Sequence, residues 1–434
     1  MLDLRGTTSD LSASLPRPQV DGDEPIAVVR ALLEEVRADG DTALIELTER
    51  LDGVRLESIV VPASELDAAR ARIPAELREA LELAAERIAA YHRTQLHLPV
   101  TYSEGGAVIR SFDVAVDRAG CYVPGGTAPL ASTLLMTAVP ARIAGVGQVV
   151  VCSPPSRDTG RVDDVILAAA AIAGVDEFYA VGGAQAIAAM AYGTESIRPV
   201  DVVCGPGNKY VAIAKREVAG VVGVAAAFAG PSEVVVIADG SVDPRYAAID
   251  VIVQAEHGPD GLAWLVTWDT EVAKAVDAAI EELVAVAPRA DQIRSTLASC
   301  GYAVVVDGPA RAIEVANAIA PEHLQLLVDD AAALLPLIRN AGATFVGPWS
   351  PASMGDYVAG PSHVLPTHGT ARFSSALTVG DFTKHHHVIE LDRAAFCALA
   401  PHVAVLARAE GLDAHAQSVL LRSEAHTPEG DADE

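Results

Sequence analysis

The stretch "QAEHGPDG" (254–261) closes a helix-like segment with a glutamine and a histidine three residues apart. Residues i and i+3 share a helix face, so Gln254 and His257 can point at one object although the rest of that face is apolar. Further along, "GDYVAGPSHVLPTHG" (355–369) carries Asp356 and His363, and "RAEGLDAHAQS" (408–418) carries Glu410 and His415 across a helix junction. Carboxylate and imidazole are ordinary ligands for a borderline-soft cation such as zinc. Gln254, His257, Asp356 and His415 together would make a mixed O/N shell. Their separation along the chain proves nothing by itself, and isolated surface or core histidines remain the plain reading. "KHHH" (384–387) is denser in histidine than any of these pairs and reads as a solvated turn.

"APEHLQL" (320–326) has a different character. Pro321 is expected to start a helix, with Glu322 and His323 in its first turn. Neighbours on a helix point about 100° apart, so one of the pair can meet a substrate proton while the other holds a water. The plain alternative is an acid that favours the helix dipole beside an incidental histidine. Three glycine turns follow strand-like runs: "YVPGGTAPLASTLLM" (122–136), "AVGGAQAIAAM" (180–190) and "VVCGPGNKYVAIAK" (202–215). Glycine lets backbone N–H groups approach a ligand, and a helix N-terminus favours an anion such as a pyrophosphate. Tyr122 can stack on or hydrogen-bond a ring system, and Gln185 and Asn208 sit where the helices open. The GxGxxG fingerprint is absent, so tight structural turns are an equally open reading.

The elements that must position these groups are legible as a pattern. Residues 24–97 read as helical. Ile26, Val29, Leu32, Leu33 and Val36 fall at helical spacing, and Gly40 is expected to stop that helix. From about 113, short apolar runs alternate with helices. The runs are "GCYVP", "QVVVCSP", "EFYAVGG", "DVVCGPG", "EVVVIAD", "AWLVTWD", "YAVVVDG" and "ATFVG"; the helices include 131–145, 208–219, 244–257 and 270–287. Asp243 is the expected N-cap and Pro244 the N1 residue of the 244–257 helix. Such alternation argues for parallel sheets covered on both faces, and the series is long enough for two, joined near Gly230-Pro231. Residues 348–380 lack periodicity, and the chain is helical again after 393, with Asp413 capping the last helix.

The bulk numbers narrow the chemistry. There are 58 acidic against 31 basic residues, a net charge of −27, so a phosphate backbone is repelled and nucleic acid is excluded as a partner. No apolar run reaches the ~18 residues that span a bilayer, and no signal peptide is visible. The five cysteines are scattered without a pairing pattern, which suits reduced thiols in a cytoplasm.

Taken in order, "YVPGGTAPLAST", "GGAQAIAAMAYGT", "CGPGNKYV", "GPSE", "QAEHGP", "APEHL", "GDYVAGPSHVLPT" and "AEGLDAH" resemble histidinol dehydrogenase over residues 20–424. The resemblance implies an α/β fold of two Rossmann-like parallel-sheet domains, without GxGxxG, plus small helical C-terminal extensions. It places residues 22–121 and 232–377 in a main domain with the metal and substrate site, and 122–231 in a second domain on the NAD side. Residues 1–21 and 378–402 form a small extension, 403–427 a segment reaching the partner subunit, and 428–434 a tail. It implies NAD-dependent four-electron oxidation of L-histidinol to L-histidine through a bound aldehyde, by a homodimer with intertwined subunits. Zinc would be held by Gln254, His257, Asp356 and His415. Ser232, Glu322, His323, His363 and Glu410 would meet the substrate along with those ligands, and Tyr122, Gln185 and Asn208 the NAD. Glu322 and His323 carry the catalysis. A zinc-dependent hydrolase with Glu322 as general base is the alternative, in which the glycine turns are scaffold only.

Overall fold

The computed structural model describes residues 1–7, 11–16, 25–125, 128–225, 232–256 and 261–424. The chain divides into two compact units, one of Met1–Leu96 and Ala115–Phe382, the other of His97–Val114 and Thr383–Glu434. His257 and the Gly230-Pro231 join lie outside the described residues, so the join is placed only by the sheets on either side of it.

The first unit is built on two six-stranded sheets. One runs Val60–Val61, Glu177–Tyr179, Gln148–Cys152, Arg118–Tyr122, Val202–Cys204, Gly223–Val224. All neighbours in it are parallel except the short edge strand Val60–Val61. The other, parallel throughout, runs Leu2–Asp3, Gly301–Val305, Leu262–Thr267, Glu233–Ala238, His323–Leu327, Ala343–Val346. Leaving out the edge strands Val60–Val61 and Leu2–Asp3, both are wound 3-2-1-4-5 in chain order, a doubly wound pattern that puts a crevice where the order reverses. Alternate residues of each strand feed opposite cores. In the first sheet Val149, Val151 and Phe178 join one cluster, and Val150, Cys152 and Tyr179 the other. This is why those runs read as unbroken apolar segments.

The two sheets fall on either side of the expected join, apart from the edge strand Leu2–Asp3. Strand Arg118–Tyr122 is the first strand of the sheet that carries 148–224. Helix Ile26–Leu47 packs Val29, Leu32, Leu33 and Val36 into that sheet's core, and helix Ala75–Arg93 adds Leu81, Ala84 and Ile88 on its other face. Residues 26–96 and 115–122 therefore share cores with 148–224, not with 233–346. Gly40 breaks its helix as expected, with φ 54°, but the helix resumes and runs on to Leu47. Asp243 and Pro244 open Pro244–Ala255 as read, with Asp243 Oδ1 accepting the Arg245 N–H at 2.9 Å.

The "APEHLQL" expectation is corrected. Pro321 follows a helix that has ended: Pro309–Ile319 closes at Ala320, whose φ of 54° is left-handed. A proline just past a C-cap marks a stop, and the chain goes straight into the buried strand His323–Leu327. The "KHHH" turn is corrected too, since Thr383–Leu391 is a strand. In the second unit it forms one edge of a three-stranded sheet with Ala107–Ala115 and Val100–Glu104, followed by helices Arg393–Ala409 and Asp413–Glu424. Among the described residues no helix is long and apolar enough to cross a membrane.

Gly205, just past strand Val202–Cys204, shows how tightly one turn is built. Its φ is +106°, and a Cβ there would lie 2.1 Å from the Tyr122 carbonyl oxygen. Gly174 also has positive φ, +69°, but nothing lies within 4 Å of its Cβ position. Thermal unfolding should therefore separate the two: Gly174→Ala costs about 1 kcal/mol, Gly205→Ala about 2 kcal/mol or more. Equal losses would show that the contact with Tyr122 relaxes freely.

Candidate functional site

The second sheet gathers chemistry at the amino ends of its strands. Ser232 and Glu233 open one strand, and Glu322 and His323 open its neighbour, in parallel register with Val234 opposite His323. Glu322 is 6% exposed; its Oε2 accepts the Glu233 backbone N–H at 3.1 Å and it is also hydrogen-bonded by the Ser232 side chain. Burial pushes its carboxyl above the usual range, and the neighbouring His323 only partly offsets this.

His323 is 7% exposed. Its Nδ1 donates to the Glu233 carbonyl at 3.3 Å, and its Nε2 lies 3.3 Å from Asp356 Oδ1. Glu322 Oε2 is 3.7 Å from Nδ1, and the Phe345 ring stacks on the imidazole with centroids 5.8 Å apart. Burial alone would lower this imidazole's pKa. The Glu322 and Asp356 carboxylates outweigh burial and raise it to about 9. With Nδ1 committed to a carbonyl, the neutral ring carries its lone pair on Nε2, facing the Asp356 side.

Asp356 sits on the short helix Ala352–Tyr357 within the irregular 348–380 segment. Its backbone carbonyl accepts from His363 Nδ1 at 2.8 Å, and His363 Nε2 is 3.2 Å from Thr133 Oγ1. Ser232, Glu322, His323, Asp356 and His363 thus form one chain of contacts. Gln254 is buried at 3% exposure on the last turn of Pro244–Ala255, and its Nε2 has no hydrogen-bond partner among the described residues. A buried amide left half-paired costs a hydrogen bond unless a ligand takes it, and a half-turn of the amide presents either atom. That orphaned amide is a group a cation could take up, but among the described residues no group of three or more His, Cys, Asp or Glu is arranged to hold a metal ion, and His257 lies outside them. Glu410 and His415 belong to the second unit. Both are exposed, Glu410 capping Arg393–Ala409 and His415 in the first turn of Asp413–Glu424.

The glycine turns occupy the carboxyl edge of the first sheet. Tyr122 and Cys204 end the two strands that flank its reversal point. The Tyr122 hydroxyl is buried and accepts the Gly183 N–H at 3.1 Å; burial pushes its pKa up to about 12. Gln185 is 1% exposed, with Oε1 unpartnered among the described residues. Asn208 caps its helix, its Oδ1 accepting from Tyr210 and Val211 N–H groups at 3.0 and 3.1 Å.

Three supports escaped the sequence reading. Thr133 and Phe345 position His363 and His323 from helices and strands distant in sequence, and nothing local marks them. Lys215 is fully buried, and its Nζ donates to Gly205 O at 2.9 Å, pinning the 205–208 turn. Burial lowers its pKa to about 8. Its signal was available: a lysine on the apolar face of the helix that follows a glycine turn.

The sequence model of the histidinol dehydrogenase family matches residues 15–423. A histidinol dehydrogenase of Symbiobacterium thermophilum is 49% identical over 400 residues, 91% of this chain and 90% of that one. Another, from Hydrogenovibrio crunogenus, is 45% identical over 421 residues, 96% of each. The crystal structure of histidinol dehydrogenase from Elizabethkingia anophelis superposes with a TM-score of 0.93 at 32% identity, covering 98% of both chains. Matches that extend over nearly the whole sequence and the whole fold leave one assignment: the chain belongs to the histidinol dehydrogenase family.

Proposed function

We propose that this chain oxidises L-histidinol to L-histidine in two successive NAD-dependent steps, the aldehyde staying bound between them. The observation that carries the reading is the buried Glu322–His323 pair set against Asp356. An alcohol-to-acid oxidation needs two proton-handling tasks at one carbon, and this site holds two titratable groups of opposite type side by side. The hydrolase alternative gives way, because the family is one of oxidoreductases.

His323 takes the alcohol proton at Nε2 in the first step; its Nδ1–H stays on the Glu233 carbonyl, so the ring cannot turn away. Glu322, fixed by Ser232 and the Glu233 N–H, draws a proton from the water that adds to the aldehyde. Once His323 has released the first proton to solvent, its Nε2 accepts a hydroxyl proton of the hydrate as the second hydride leaves for a second NAD. His363, anchored by Thr133 and the Asp356 carbonyl, and Glu410 of the partner subunit hold the substrate's polar groups. Tyr122, Gln185 and Asn208 would hold NAD, which would supply the hydride acceptor. Gln254, His257, Asp356 and His415 of the partner subunit would hold zinc, which would supply orientation of the amino alcohol, an effect worth about several kcal/mol.

The reading includes a homodimer, and exposed apolar groups support it. Leu399, Val403 and Leu406, spaced i, i+4, i+7 on Arg393–Ala409, are 47%, 41% and 64% exposed. In the first unit Trp349 and Phe373 are 82% and 69% exposed. Large apolar groups left bare in this number call for a covering surface, and a second copy supplies it. The free thiols suit a cytoplasmic setting.

The deciding measurement is absorbance. Histidinol with excess NAD should yield two NADH per substrate; chelation should abolish the signal and added zinc restore it. One NADH per substrate, or turnover indifferent to chelation, would overturn the reading. Between variants, His323→Asn should depress both oxidations by roughly 10²-fold or more, whereas Glu322→Gln should slow histidinal oxidation far more than histidinol oxidation. Equal losses would contradict the division of labour. Finally, mixing His415→Ala and Glu322→Gln chains should restore about a quarter of wild-type activity at statistical pairing, since one site per heterodimer is then intact. Verified heterodimers without activity would rule out sharing of His415 between subunits.

A further inference from the structure

Helix Lys209–Val218 opens directly from the 205–208 turn, and its buried face carries one residue that packing does not call for. Val211, Ala214 and Val218 fall at i, i+3 and i+7 and join one apolar core, all fully buried. Lys215, at i+4 of the same stripe, is buried as completely. An aliphatic side chain would fill this place without taking an ammonium out of water, which is costly. Helical side chains lean toward the N-terminus, so Lys215, about two turns past the Asn208 cap, reaches back to the turn. Its Nζ donates to the Gly205 carbonyl at 2.9 Å. That carbonyl belongs to the Gly205–Pro206 peptide, which has no N–H, so it is the peptide's one polar group. Gly205 itself is held close to the Tyr122 backbone, with φ +106° and its Cβ position 2.1 Å from the Tyr122 oxygen. Fixing the carbonyl therefore fixes the first peptide of the turn, with Tyr122 beside it and Asn208 three residues on.

We propose that Lys215 is a positioning residue for NAD: by holding the Gly205 carbonyl, it keeps the 205–208 turn in the shape through which Tyr122 and Asn208 bind the cofactor. The inference rests on the assignment of NAD to this edge of the first sheet. With the carbonyl released, the first peptide of the turn is free to rotate, and an oxygen turned toward the cofactor repels its pyrophosphate. The helix itself does not depend on this bond. Asn208 Oδ1 caps it through the Tyr210 and Val211 N–H groups, so losing Lys215 loosens the turn and leaves the helix start intact. The lysine thus serves the shape of the turn where an aliphatic residue would serve the core, and this separates its role from that of its stripe neighbours.

Titrating the full-length protein with NADH, followed by the cofactor's fluorescence, tests this without turnover. Lys215→Met keeps the length of the side chain and removes the ammonium; Lys215→Gln keeps an N–H donor on a shorter stem. The NADH Kd should rise ~10-fold or more in Lys215→Met and by less in Lys215→Gln. In steady state KM for NAD should rise in step, while KM for histidinol moves less than about twofold. A residue that only stabilised the fold would lower the melting temperature and disturb both substrates together. Arg216→Met, which removes an exposed charge from the same helix, should leave NADH binding unchanged. Wild-type affinity for NADH in Lys215→Met, or an equal rise in both KM values, would overturn the proposal and leave the NAD assignment standing. Should Lys215→Met fail to fold, Lys215→Gln decides by the same comparison. A wild type that binds no NADH would remove the assignment and the proposal with it.

Discussion

The arrangement of the site depends on burying an imidazole between two carboxylates. Glu322 and His323 are each under a tenth exposed, and Asp356 closes the group from the irregular segment. Taking each ion from water costs several kcal/mol. Opposite unit charges about 3.5 Å apart return about 5 kcal/mol at an effective dielectric near 20. No single charged partner can therefore be removed cheaply. His323 holds its proton up to about pH 9 because the carboxylates surround it. A cation that took over the Asp356 carboxylate would withdraw part of that support and leave Nε2 a base nearer neutrality, the state that proton abstraction requires.

The two similarly wound sheets are used at opposite edges. In the first, the carboxyl-edge reversal point carries the glycine turns, stiffened by the Tyr122 hydroxyl on Gly183 N–H and by buried Lys215 on Gly205 O. In the second, the reactive groups sit at the amino ends of strands Glu233–Ala238 and His323–Leu327. Parallel register makes this possible. It aligns Ser232, Glu233, Glu322 and His323 as neighbours, and gives Glu322 a backbone N–H from the adjacent strand. Strand ends are rigid, so the geometry of the pair is set by the sheet and not by a loop.

What the sequence disclosed follows from range of interaction. The Asp243–Pro244 start, the fully buried strands and the break at Gly40 are local, and each was legible. Glu322 and His323 were singled out but placed on a helix, whereas His323 opens a buried strand. Pro321 reads alike as a start or as the residue after a stop, and only Ala320 in a left-handed conformation decides. The grouping of residues 26–96 and 115–122 with 148–224 was hidden, because parallel pairing of Arg118–Tyr122 with two strands further along the chain has no local mark. The strands Val100–Glu104, Ala107–Ala115 and Thr383–Leu391 were missed because they are only half apolar; exposure weakens the hydrophobic signal that found the others.

The same pairing of imidazole with carboxylate therefore has two fates in this chain, and burial separates them. At Glu322 and His323 desolvation makes every charge consequential, so partners must be matched. At Asp113, where His97 and His385 each meet one carboxylate oxygen, solvent screens the charges, and the clasp costs little to assemble or to open. A buried set can orient a reacting molecule because its members have no freedom to relax. An exposed set can only tie segments together, and the three segments here, distant in sequence, are those by which the chain enters or leaves its second unit. A histidine count cannot tell these cases apart. The number of neighbours that exclude water from each imidazole can.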